Sequence, residues 1–261
     1  MENDTLVIVQ GAGEMASGVI FHLHNSGYKV IALEQSQPVC VRRQVCFADA
    51  VYTQEVEVEG VKAKFVATID DALLLVESNI VPVLIDPDGK HIRSISPIAI
   101  VDGRMLKKQI EVSLAESPMR IGLGPGFIVG RNCHLVIETN RGENLGKVIT
   151  KGKAQDHTGI PGEVNSYTYE RVLRASANGV FKSYVTIGDR IKQHDLIGEI
   201  NDVEVLSQID GIVRGLIHDG SEVFIGQKIG DIDPRGDKKL CYKISDKAHA
   251  IGKGVLKALQ S

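Results

Sequence analysis

The feature that most constrains this chain is a glycine turn set between an apolar strand and an amphipathic helix. Leu6-Val7-Ile8-Val9 is a continuous apolar run, as expected of a strand buried on both faces of a parallel sheet. Gly11-Ala12-Gly13-Glu14-Met15-Ala16 follows at once, and Val19, Ile20 and Leu23 then recur at helical spacing until Ser26-Gly27 stops the helix. Lys29-Val30-Ile31-Ala32-Leu33-Glu34 reads as a second strand, completing a βαβ unit of ordinary size.

The turn matches G-x-G-x-x-A, a variant of the dinucleotide fingerprint. Gly11 would permit the tight turn, Gly13 the close approach of a pyrophosphate, and Ala16 close packing of helix on strand. Glu14 and Met15 open the helix beside the phosphates. Glu34 ends the second strand about 20 residues on, where an acid accepts ribose hydroxyls. No arginine follows Glu34 directly, which argues for an NAD-like dinucleotide over one carrying a 2′-phosphate. The pattern predicts an α/β fold, a Rossmann-like parallel-sheet domain over residues 1–118. The competing reading is a domain that keeps its glycine turn for packing and binds a protein partner.

Further signals are consistent with that organisation. Thr68 precedes Asp70-Asp71-Ala72-Leu73-Leu74-Leu75-Val76, a capped helix with acids in its first turn. Val81 to Ile85 reads as a buried strand closed by the Asp86-Pro87-Asp88-Gly89 turn, and Ile98 to Gly103 repeats the pattern. Val56 to Val61 alternates with period two, as in a half-exposed strand or hairpin. Arg42 and Arg43 lie in the loop between, either clamping a phosphate or carboxylate of the ligand or forming a solvated basic step. Cys40 and Cys46 have neither zinc-knuckle nor redox-pair spacing and are expected to be small buried hydrophobes.

The second half carries an internal repeat. At an offset of 32 residues, 177–200 superpose on 209–232 without a gap, and Gly179, Gly188, Ile197, Gly198 and Ile200 meet identical residues. The rhythm of Asp210-Gly211-Ile212-Val213, Gly220 to Val223 and Gly226 to Ile229 resembles the biotinyl/lipoyl barrel-sandwich family. That resemblance implies a flattened, mostly β barrel over 171–236. The join at Asn201-Asp202-Val203-Glu204 holds no lysine, so carriage of a prosthetic group is not expected.

Residues 119–170 read as a glycine-rich connector and hairpin. Gly124 and Gly126 would bring backbone amides near an anion, with Glu138, Asn140 and Arg141 as polar groups at a strand end; a plain connector is the alternative. Residues 237–261 close the chain with a capped helix from Ser245 to Leu259.

A net charge of −3 argues against nucleic-acid binding, and no apolar stretch approaches the ~20 residues that span a bilayer. The polar start Met1-Glu2-Asn3-Asp4 is unlike a secretory signal, and four scattered cysteines suit a reducing cytoplasm. No H-E-x-x-H, G-x-S-x-G, Walker or kinase motif occurs, so no catalytic set and no metal site are assigned. Asp86, Asp231 and Asp233 sit where acids commonly satisfy turn amides.

Across nearly its whole length the chain resembles the YqeB-type accessory proteins of the selenium-dependent molybdenum hydroxylase system. The motifs that carry this are Gly11 to Gly18, Val41-Arg42-Arg43, Gly122 to Phe127, Glu138 to Gly142, Thr158 to Gly162, Gly230 to Arg235 and Ile244 to Ala248. The N-terminal stretch is also similar to the Rossmann domain of XdhC/CoxI maturation factors, although Glu14 stands where those carry histidine. The resemblance implies an accessory factor that matures a molybdenum hydroxylase client. Its ligand would be an NAD-like dinucleotide or a nucleotide-modified molybdopterin cofactor, and a homo-oligomer is compatible with it. An NAD-dependent oxidoreductase and an interaction scaffold with a vestigial pocket are the alternatives.

Overall fold

The computed structural model describes residues 5–115 and 117–261, so the polar start Met1-Glu2-Asn3-Asp4 lies outside the described residues. The chain divides into two compact units. The first takes the residues up to Pro38, then Cys46–Thr158 and Ile244–Ser261; the second takes Val39–Val45 and Gly159–Lys243.

The first unit is built on strands β1 (Leu6–Gln10), β2 (Lys29–Glu34), β3 (Glu55–Val58), β4 (Val61–Val66), β5 (Val81–Ile85), β6 (Ala99–Asp102), β7 (Met119–Leu123), β8 (Leu135–Ile137) and β9 (Val148–Ile149). They form one sheet in the order β3-β4-β5-β2-β1-β6-β7-β8-β9. Neighbours from β4 to β8 pair in parallel, whereas β3 with β4 and β8 with β9 are antiparallel. The chain leaves β1 toward β2 on one side and reaches β6 on the other, so strand order reverses between β1 and β6. Helices α1 (Glu14–Asn25), α2 (Ala50–Thr53), α3 (Ile69–Leu75), α4 (Ile92–Ile95) and α5 (Asp246–Leu259) complete the unit. Leu6, Ile8, Ile31, Leu33, Leu84 and Ile100 alternate onto one face of the sheet, where Ala72, Val76 and Ile92 cover them.

Local chemistry places several of these elements. Thr68 caps α3, its side chain accepting from the Asp71 amide at 3.1 Å, and Ser245 caps α5 by accepting from Ala248 at 3.2 Å. Helix α5 lies against α1 through small residues. A Cβ at Gly18 would overlap the carbonyl of Ala248, and one at Gly252 would overlap the carbonyl of Gly18. The two backbones therefore touch at Gly18 and Gly252, which carry no side chain.

In the second unit, β11 (Gly179–Ser183), β13 (Leu196–Ile200), β14 (Val203–Leu206) and β16 (Ser221–Val223) form one antiparallel sheet, ordered β14-β13-β11-β16. A second sheet, ordered β10-β17-β15-β12, comprises β10 (Val172–Arg174), β12 (Arg190–Ile191), β15 (Gly211–Leu216) and β17 (Lys228–Asp233). The short middle strand of each repeat pairs with the first strand of the other: β12 with β15, and β16 with β11. Phe181, Ile197, Ile200, Val213, Ile229 and Ile232 fill the core between them.

This corrects the expected layout of a Rossmann-like parallel sheet followed by a barrel-sandwich domain. The first sheet is mixed, with antiparallel margins on both sides. It takes β7 to β9 from the stretch read as a connector, and the C-terminal helix packs back on α1. The repeat forms two separately bonded sheets in place of one flattened barrel. The physical reason is that strand pairing at a sheet margin depends on distant chain segments, which a local pattern does not encode.

The expectation for two cysteines is corrected as well: Cys40 and Cys46 are disulfide-bonded, while Cys133 and Cys241 are free and buried.

Candidate functional site

Open α/β sheets present their ligand crevice at the carboxyl ends of the strands, where strand order reverses. In the first unit that place is the turn after β1. Gly11 holds φ at +85°, a left-handed value suited to glycine, and donates to Leu33 O at 2.7 Å. A Cβ there would come within 3.3 Å of Arg104, so the turn after β6 closes over it. Gly13 begins α1 with φ at −69°, no side-chain cap and nothing within 4 Å of an added Cβ. Gly13 thus brings no side chain to the start of α1 and leaves open the space a Cβ would fill, the kind of helix start at which an anion binds. Glu14 and Met15, both half-buried, follow in the first turn. Ala16 is buried, and a Cβ on Gly103 would lie 2.8 Å from its methyl group.

Glu34 does more than wait for a ribose. Its Oε2 accepts from the Ala12 amide at 2.7 Å and its Oε1 from Gln35 at 2.8 Å, tying the end of β2 to the glycine turn. Ser17 locks the same turn from behind, donating to Ala12 O at 2.9 Å and accepting from the Phe47 amide at 2.9 Å.

Asp102, Arg104, Arg120 and Gln10 adjoin this turn and had no signal in the linear pattern. Asp102 is fully buried at the end of β6 and takes a bidentate pair from Arg104 at 2.9 and 2.6 Å. That pairing raises the affinity of Arg104 for its proton. Arg120 donates to Gln10 Oε1 at 2.9 Å and lies 3.9 Å from Asp102; burial lowers its pKa. Two guanidinium groups thus share one carboxylate where strand order reverses.

At the ends of β7 and β8 the residues play different parts. Gly124, with φ at +83°, donates to Ile137 O, and a Cβ on it would lie 2.9 Å from Thr139 Oγ1. A Cβ on Gly126 would come within 2.5 Å of Leu106 O. Glu138 is buried and accepts from Thr139, Asn140 and Gln155 amides at 2.7, 2.8 and 2.8 Å, which makes it the organiser of this loop. Asn140 donates to Asp156 O at 2.9 Å, and Arg141 pairs bidentately with Asp246 in the first turn of α5 at 2.6 and 2.9 Å.

Lys247 follows Asp246. A cation in the first turn of a helix opposes the dipole, and Lys247 makes no hydrogen bond or ion pair among the described residues. Burial, then the charge of Arg141, depress its pKa, against the pull of Glu14, Glu138 and Asp246. Those same groups mark Lys247 as the point where α1, the 138–141 loop and α5 meet electrostatically. Burial and the charges of Lys107 and Lys247 likewise lower the pKa of His157. Sequence reasoning missed Lys247, whose only advance sign was its place two residues after a capping serine.

Arg42 and Arg43 belong to the second unit. Arg42 is buried and donates to Leu240 O at 3.0 Å and Lys243 O at 2.8 Å, and Arg43 donates to Leu216 O at 2.8 Å. Both brace backbone, in contrast with the solvated step that was the plainer expectation. Among the described residues no group of three or more His, Cys, Asp or Glu is placed to hold a metal ion, and no helix is long and apolar enough to cross a membrane.

No protein-family profile matches the chain. It is 45% identical over 254 residues to the uncharacterized protein YqeB of Escherichia coli (strain K12), a match covering 97% of this chain and 47% of that protein. The chain therefore spans about half the length of the curated relative it matches. Among solved structures it is similar to the product-bound ectoine utilization protein EutE from Ruegeria pomeroyi, with 9% identity, 88% of this chain, 57% of that one and a TM-score of 0.26. An aspartoacylase family protein from Mesorhizobium loti gives 9% identity, 88% of this chain, 85% of that one and a TM-score of 0.27. Scores this low carry no conclusion about fold or activity. The expected kinship with XdhC/CoxI Rossmann domains and with biotinyl/lipoyl proteins is corrected along with the layout. The mixed sheet and paired antiparallel sheets replace it.

Proposed function

We propose that the chain is an accessory factor that binds a nucleotide-bearing ligand on its first unit and serves the maturation of a selenium-dependent molybdenum hydroxylase. The ligand is an NAD-like dinucleotide or the nucleotide-modified molybdopterin cofactor. The observation that carries the binding reading is Gly13, which leaves the start of α1 without a side-chain cap and opens onto unfilled space. Gly11, Glu14, Met15, Ala16 and Glu34 shape that turn. Gly124, Gly126, Asn140 and Arg141 belong to the loops at the same strand ends, and the half-buried Lys247 adds a cation suited to phosphate. The maturation role rests on the motif resemblance and takes the client enzyme as its partner.

Gly13→Val tests the binding reading cleanly, because φ at −69° suits valine and the space around it is open. The variant is expected to fold as the parent does and to lose the ligand, since the branched side chain occupies the space a phosphate needs. Native mass spectrometry of gently purified protein identifies any retained ligand, and calorimetry compares parent with variant. Equal affinity in the two proteins would overturn the site.

A further inference from the structure

The second unit carries more positive charge around one buried carboxylate than that carboxylate can neutralise. Asp231, on β17, is 1% exposed and stands within ion-pair distance of three cations. Arg171 donates to its Oδ1, Arg214 Nη1 lies 3.3 Å from its Oδ2, and Lys228 Nζ lies 3.6 Å from Oδ1. Asp233, two residues on, is shared between Arg214 at 3.5 Å and Arg235 at 2.7 Å, so the cluster sets Arg171, Arg214, Lys228 and Arg235 against two carboxylates.

The arginines at this site are nearly withdrawn from water: the side chains of Arg171 and Arg214 are 11% and 14% exposed. The surplus positive charge stands on Lys228 and Arg235, 40% and 41% exposed, where an anion from solution can meet it. Arg171 directs Nε to Gly162 O at 3.0 Å and Nη1 to Asp231. Arg214 directs Nη1 to Asp231 and Nε toward Asp233. Arg214 Nε, 3.5 Å from Asp233, is buried and has no hydrogen-bond partner among the described residues. Asp231 thus aligns two forked donors side by side, with the Lys228 ammonium at their edge. Forked guanidinium donors suit the oxygens of a tetrahedral oxyanion.

We infer that Arg171, Arg214 and Lys228, aligned on Asp231, form a binding site for a phosphate group carried by a small molecule. Asp231 is the positioning residue, and the three cations are the contacts. The site lies wholly within the second unit and is independent of the glycine turn.

The test uses the full chain bearing Gly13→Val, so that the turn of the first unit does not contribute, and titrates inorganic phosphate by calorimetry at fixed ionic strength. Saturable binding is expected, weakened about tenfold or more by Lys228→Ala, the scale of one charged hydrogen bond. Arg214→Lys keeps the charge but loses the fork and is expected to weaken binding as well. Lys182→Ala removes an exposed lysine paired with Glu199 on another sheet of the unit and should leave affinity unchanged. Absence of saturable binding overturns the inference. So does a loss with Lys182→Ala equal to that with Lys228→Ala, because the effect would then be general charge. Lys228 is 40% exposed, so its truncation leaves the core intact.

Discussion

His22 on α1 and His249 on α5 meet with Nε2 and Nδ1 3.1 Å apart, and their rings stand at 72° to each other. The pair bridges the two helices beside their glycine contact. Phe21 packs edge-on against both rings, and Glu59 lies 3.7 Å from His249 on the far side. One ring nitrogen must donate and the other accept, so the pair is satisfied only while at least one ring is neutral.

That arrangement sets a pH dependence. Burial lowers the pKa of His22, with His249 and Lys253 adding to the shift and Glu59 opposing it. The folded state therefore binds a proton less readily than the unfolded chain, whose histidines titrate near 6.5. The stability that His22 contributes is present above about pH 6.5 and is lost as pH falls through that value toward its lower folded pKa. Thermal melting between pH 8 and pH 5 should show the decline, and His22→Gln should flatten it over that window. An unchanged slope in the variant would assign the decline elsewhere.

The glycine contact makes a second prediction. Gly18→Ala places a methyl group against the Ala248 carbonyl, and only movement of α5 relieves the clash. The expected cost is about 1–3 kcal/mol, the range of overpacking in a well-filled interior. Urea unfolding should register it as a lower midpoint with little change in slope. By contrast Gly27→Ala, at the end of α1, meets no neighbour but must hold φ at +85°, and is expected to cost about 1 kcal/mol from backbone strain alone.

Cys133 supplies a third. Burial pushes its thiol up to about 11, despite the nearby Arg120 guanidinium. It packs with Phe127, Val136 and Ala154. In folded protein at pH 8 it should resist iodoacetamide over hours and react promptly after denaturation, since thiolate is the reactive form. Mass spectrometry of the alkylated peptide reads both states.

What the linear pattern disclosed was local. The strand before Gly11, the helix after Gly13, the caps at Thr68 and Ser245 and the hairpin around Gly60 follow from spacing and end chemistry, and each lies where those signals put it. What it withheld depends on distant partners. Nothing near Gly18 announces Gly252, and nothing near Asp102 announces Arg120. Glu138 and Arg42 illustrate the same limit: a polar residue reads as a ligand contact until the amides or carbonyls that occupy it are known. The layout of the sheets failed for a related reason, because the antiparallel margins and the return of α5 are settled by tertiary pairing.

The return of α5 to α1 also bears on how the chain is made. The ribosome delivers α1 before Gly159–Lys243 of the second unit and α5 only after them, so the glycine face of α1 waits uncovered while that stretch is made. During that interval the first unit has its strands but lacks one wall. Its completion is thus timed by translation, and a chain interrupted before Ser245 would expose the surface that folding helpers and proteases recognise.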